Sequence, residues 1–231
     1  MITLLAAFAL ASEVPDGRQL REGESCYSIL ANKGDTPQTI GSVFQSVTRR
    51  QVGKTEALAI VIHQRLANGK FDMRDEFLVR RDDLRPISLD NMRDGKPHVH
   101  LDYSETGVIG WKVANGNKEN VAVKLSQPVW DGNLWGLTFA ALPMKSGARY
   151  ELPTYQYDKG VGTFTVSVKG QEKVQVGDRS VMAWLVDAGA STDRRTEYLI
   201  SASGEELGYR AGPMSQLLGG DCGHAARKRG G

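Results

Sequence analysis

The residue pattern of this chain predicts a mainly β fold: one long curved antiparallel sheet, a half-barrel or open barrel, with a short buried helix. Three observations carry that reading. Short apolar segments with period-two alternation recur from residue 38 to residue 210. Glycine-containing turn pairs separate most of them. Two segments, 57–62 and 181–186, are apolar on both faces and need cover on both sides, and a third, 133–142, is helical and has almost no polar face.

Taken in order, residues 1–11 read as a signal peptide, with an apolar core that ends in the small-residue pattern Ala9-Leu10-Ala11. No Lys or Arg precedes that core, and the mature chain is expected to start at Ser12. Residues 12–37 form a lead-in, 38–218 a single β-rich domain and 219–231 a tail that is mobile unless Cys222 pins it. Alternation marks strands at 41–48, 75–80, 98–103, 108–113, 120–125, 149–155, 161–168 and 197–201. In 161–168, Phe164, Val166 and Val168 face one way and Thr163, Thr165 and Ser167 the other. Asn68-Gly69, Asp94-Gly95, Asn115-Gly116, Lys169-Gly170, Gly177-Asp178 and Ser203-Gly204 supply the turns, which accounts for much of the surplus of 26 glycines. The helix in 133–142 has Asn133 as its expected cap and Pro143 as its stop.

Charge and composition exclude several function classes. With 29 basic against 27 acidic side chains in 231 residues, the chain has no phosphate-neutralising excess, so no nucleic-acid partner is expected. No apolar run reaches the roughly 18 residues of a membrane-spanning helix. Cys26 and Cys222 are either a bridge that ties the two ends of an exported chain or two unrelated thiols, and neither has a second cysteine at zinc-ligand spacing.

Candidate chemistry is sparse. His98 and His100 sit at strand spacing on one face, where a third ligand such as His63, Asp102 or Glu105 would complete a metal site; an exposed polar strand face explains them as well. There is no Gly-x-Ser-x-Gly elbow, no catalytic-cysteine signature and no dinucleotide fingerprint around Gly160-Val161-Gly162. Asp75-Glu76, Asp82-Asp83 and Glu205-Glu206 read as solvated charge. No catalytic residue and no cofactor are assigned. The doublets Arg49-Arg50, Arg80-Arg81 and Arg194-Arg195 and the tail Arg227-Lys228-Arg229 read as edge charges, with an anionic surface as the functional alternative. Of the four tryptophans, Trp184 falls in a doubly apolar strand and Trp135 in the helix, with Trp111 and Trp130 nearby.

The stretch from Leu142-Pro143 through Val168-x-Gly170-x-Glu172, the strand at 181–186 and Tyr198-Leu199-Ile200-Ser201 resembles a family of exported bacterial proteins described only as a domain of unknown function, number thirty-one-oh-eight. The likeness extends in layout over residues 44–210 and is specific over 142–210. Leu199 stands where such proteins often carry Trp. The resemblance implies an exported, β-rich fold, similar in outline to the half-barrels of lipoprotein carriers. Glu172 is read as fixing a hairpin over backbone amides.

Two functional expectations follow. The first is a non-enzymatic periplasmic or secreted domain that holds a lipid or other hydrophobic ligand between sheet and helix, lined by Ile60, Ile62, Trp135, Phe139 and Trp184. The second is an envelope module with a packed core and a protein partner.

Overall fold

The structure, a computed structural model, describes residues 14–33, 36–191 and 195–222. A 3-10 turn at Gly17–Gln19 precedes the strands β1 (Gly23–Lys33), β2 (Thr36–Val52), β3 (Thr55–Leu66), β4 (Asp72–Arg80), β5 (Pro86–Arg93), β6 (Lys96–Ser104), β7 (Gly107–Ala114), β8 (Asn117–Lys124) and β9 (Trp130–Asp131). The helix α1 (Trp135–Ala140) follows, then β10 (Arg149–Gln156), β11 (Gly160–Val176), β12 (Arg179–Gly189), β13 (Thr196–Ser201), β14 (Glu206–Ala211) and β15 (Met214–Leu218).

All fifteen strands form one open sheet in the order β8 to β1, then β15 down to β9. The first and last strands therefore pair at its middle. The chain leaves one edge at Lys124 and reaches the other at Trp130, and among the described residues no ladder joins β8 to β9. Every pairing is antiparallel except the short parallel contact of β9 with β10. β1 lies inside the segment read as a lead-in, so the sheet begins at Gly23 and not near residue 38.

Alternation folds this ribbon over one core. Ile60, Phe77, Leu89 and Leu101 from the first half meet Leu152, Val166, Val186 and Ile200 from the second. Side chains close what the backbone leaves open: the Tyr103 and Tyr155 rings are 6.3 Å apart, and Lys112 Nζ donates to the Tyr157 carbonyl at 3.0 Å. A smaller core lies apart from this one, where Val174, Val176, Ala183, Leu199 and Leu207 cluster. It explains why 181–186 is apolar on both faces, since Ala183 serves this second core while Val186 serves the first.

Local deviations correct the period-two reading. Lys169-Gly170 is not a hairpin turn: β11 runs through it, and Lys169 is the extra residue of a β-bulge where Val168 pairs Val186 and Gly170 pairs Leu185. Asn133 does not cap α1, whose N-cap is Leu134 without a side-chain hydrogen bond; both Asn133 N and Nδ2 donate to Asp131 instead.

Cys26 and Cys222 are joined by a disulfide, with Cα atoms 5.3 Å apart. The Gly219 and Gly220 amides donate to the Cys26 carbonyl at 2.9 and 3.1 Å, and Phe44 packs against the bridge. The start of the expected tail is thereby held, while its remainder at 223–231 and the expected signal peptide lie outside the described residues.

Candidate functional site

The inner face was the expected ligand site, and the side chains named for it pack against one another. Ile60 and Phe139 are fully buried, and Trp135 lies stacked between Phe164 at 3.6 Å and Phe139 at 5.5 Å between ring centroids. Phe139 in turn meets the edge of Tyr198 at 4.8 Å. Ile62 and Trp184 are half-buried and pack against the same core. The five residues thus belong to one packed cluster.

The two histidines are separated by their surroundings. Asn91 pairs Val99 and Met92 pairs Pro97, which makes His98 the extra residue of a bulge. His98 lies edge-on to Tyr157 at 6.2 Å, whereas His100 sits on Trp111 at 6.4 Å. His100 Nδ1 is 2.7 Å from Asp90 and Nε2 3.4 Å from Asp102, and the Asp90 hydrogen bond raises its pKa. His63 engages Asp72 at 2.6 Å and Glu105 takes Arg80 at 3.1 Å. Among the described residues no group of three His, Cys, Asp or Glu side chains is placed to hold a metal ion.

The arginine doublets are largely paired: Arg49 with Glu22 at 2.6 Å, Arg81 with Glu56 at 2.7 Å, and Arg80 with Asp82, Asp83 and Glu105. Arg195 is held by Asp187, while Arg194 and residues 227–229 lie outside the described residues. Glu172 fixes no hairpin. It sits within β11 and accepts from Arg210 Nη1 at 2.7 Å.

Sequence reasoning missed three buried carboxyls. Asp75 and Glu206, read as solvated charge, are 4% and 6% exposed, and Asp131 is 2% exposed. Burial pushes the Asp75 pKa up to about 7, against the hydrogen bond from Asn91 Nδ2 at 2.6 Å, while Asn91 Oδ1 is buried without a partner among the described residues. Asp131 is pushed up to about 6 by burial, opposed by donors from Tyr103 Oη at 2.5 Å and the Asn133 amide at 2.7 Å. Arg93 reaches the same region, donating to Tyr157 Oη at 2.8 Å. Asp75 had a legible signal, because it falls in step with Phe77 and Val79 on the buried face of β4.

Glu206 lies in a different part of the core, where burial raises its pKa to about 7 against a Gln45 hydrogen bond. Tyr27 Oη donates to the Glu206 carbonyl at 3.2 Å and accepts from Gln45 Nε2 at 3.2 Å. A Cβ at Gly136 would overlap the Glu206 carboxylate, so α1 approaches β14 there through a glycine. A cavity of about 130 Å³ opens beside these groups. Its sequence signal is hidden by a bulge, since Ile200 pairs Glu206 and Leu199 pairs Gly208 with Leu207 left over.

The outer strands differ at the two sheet edges. Trp130 and Asp131 of β9 are buried, and Trp130 Nε1 donates to the Asp83 carbonyl at 2.9 Å with the Arg85 guanidinium 3.4 Å above its ring. β8 runs eight residues with its outward side unpaired among the described residues, and Lys118 Nζ lies 4.0 Å over Trp111.

A family model described as Protein of unknown function (DUF3108) matches residues 26–212. No curated protein and no solved structure matches the chain. The match spans most of the chain, which therefore belongs to that family.

Proposed function

We propose that this DUF3108 family member is a non-enzymatic module of the cell envelope, periplasmic or secreted, that works through protein contacts on its outer surface. The observation that carries this reading is the packing of the inner face around α1, where the rings of Phe164, Trp135 and Phe139 stack between sheet and helix. The Cys26–Cys222 bridge supports an oxidising compartment, where such links persist. The buried carboxyls support structural roles, because each is matched to donors from its own neighbours.

A second reading keeps the lipid or hydrophobic ligand. It is favoured by one feature: α1 is a single short helix with no side-chain cap, so a chain that displaced it would uncover an apolar lining. Protein purified from its own host, analysed by native mass spectrometry and by solvent extraction, separates the two. The module reading expects no bound acyl chain and, in cells, a photo-crosslink from surface positions to one discrete partner. A stoichiometric lipid would overturn it.

A further inference from the structure

We infer that β8 is a docking edge for an extended peptide segment of a partner, which adds to the sheet beyond β8 and carries acidic residues at both ends of the paired stretch. This rests on the module reading above and names its surface.

The backbone defines the kind of ligand. The Leu125 amide donates to the Thr106 carbonyl at 2.9 Å, and β7 and β8 pair in unbroken register from there. Alternation in an antiparallel ladder then turns the peptide groups of Val123, Val121, Glu119 and Asn117 toward β7. Those of Lys118, Asn120, Ala122 and Lys124 point away from the sheet, with no backbone partner among the described residues. An evenly spaced row of donors and acceptors fits another strand. Of the usual blunting devices β8 carries charged side chains, Lys118, Glu119 and Lys124, but it contains no proline, has no bulge against β7 and is not short.

Side chains define the partner's chemistry. On the outer face Lys118 and Lys124 bracket Asn120 and Ala122, and Ile109, paired with Ala122, is 61% exposed. A groove of about 390 Å³ runs beside them, lined by Ile109, Ala122, Val123 and Lys124 among others. An added strand would place acids against the two lysines and an apolar side chain against Ala122 and Ile109. On the other face Val121 and Val123 ask for apolar neighbours and Glu119 for a base. A second copy of β8 fails this test. Paired antiparallel about Val121, it sets Lys118 against Lys124 twice, and paired about Asn120 it sets Lys118 against Ala122, so neither register brings an acid to the lysines as an acidic partner does.

The probe is a labelled peptide, Asp-Val-Ile-Val-Thr-Lys-Glu, titrated against the full oxidised chain by fluorescence anisotropy. Saturable binding is expected, weakened about tenfold or more by Asn120→Pro, which removes an outward N–H and spares the ladder to β7. The Lys118→Glu/Lys124→Glu variant should lose this peptide and gain Lys-Val-Ile-Val-Thr-Lys-Lys, which keeps a base against Glu119, by a comparable factor. Circular dichroism and unfolding midpoints equal to wild type keep a binding loss from being a folding loss. No saturable binding, or binding that both variants leave unchanged, overturns the edge. A partner crosslinked in cells from Arg50 but not from Ile109 overturns the edge alone and leaves the module reading standing; stoichiometric lipid in the purified protein overturns that reading instead.

Discussion

The two edges of this sheet solve the same problem in opposite ways. β9 has only two residues, both buried, and side chains finish it: Asp131 collects Tyr103 Oη and the Asn133 amide, and Trp130 is gripped by Asp83 and Arg85. β8 has eight residues, mostly exposed, and ends in open backbone. One edge is bound into the molecule by polar ties across the opening; the other contributes Val121 to the core and turns its free side outward. Substitutions at β9 should therefore threaten the fold, and substitutions on the outward side of β8 should leave it intact.

The largest effect is expected from Trp130→Ala. The ring is 3% exposed, and its loss removes both an indole hydrogen bond and the surface on which Arg85 lies. Arg85 Nη1 is already buried without a partner among the described residues, so truncation would leave the guanidinium in a worse position. A cost of about 3–5 kcal/mol is expected from denaturant unfolding. A cost under about 1 kcal/mol would mean that this edge is held by something other than Trp130.

Asp131→Ala comes next, at about 2–3 kcal/mol, because it strands the Tyr103 hydroxyl and the Asn133 amide that the carboxyl now receives. Asp131→Asn keeps an acceptor and should recover much of that loss. Equal destabilisation by both variants would assign the role to charge and not to hydrogen bonding.

The same region should make stability depend on pH. Burial raises Asp75 to about 7 and Asp131 to about 6 from an ordinary value of 3.8, so between those limits the folded chain holds protons that the unfolded chain has released. Stability from these groups is fully present below about pH 4 and is lost as pH rises toward 7, with a slope of at most about 1.4 kcal/mol per unit for each group. Asp75→Asn should flatten that slope and raise the melting temperature at pH 8 relative to the wild type. A slope left unchanged by Asp75→Asn would show that Asp75 ionises without penalty in the folded chain.

How much of this was legible follows from where alternation holds. In β4 the period-two pattern identifies Phe77 and Val79 as core, and applied strictly it would also have placed Asp75 inside. It fails at Lys169, His98 and Leu207, each an extra residue in a bulge, because one inserted residue reverses every later orientation. That reversal separated His98 from His100 and concealed Glu206. The buried helix was legible from its lack of a polar face, but its cap was not: Asn133 chose the Asp131 carboxylate, a contact that exists only once β9 is in place. The order of strands, with β1 beside β15, was carried in no local pattern, although two cysteines near the ends of the chain pointed to that meeting.

The smallest effect tests the open edge residue by residue. Lys118→Ala and Lys124→Ala touch no buried group, and each should change stability by no more than about 0.5 kcal/mol. A finer signature lies in amide exchange. If β8 uses only one side of its backbone, the amides of Val121 and Val123 are protected by β7, while those of Asn120 and Ala122, one residue along, exchange at nearly the rate of an exposed peptide. Fraying of the whole edge would make all four fast; a closed barrel or a self-associated edge would make all four slow. Only a strand paired on one side gives the alternation, and NMR-detected exchange reads it directly at each residue.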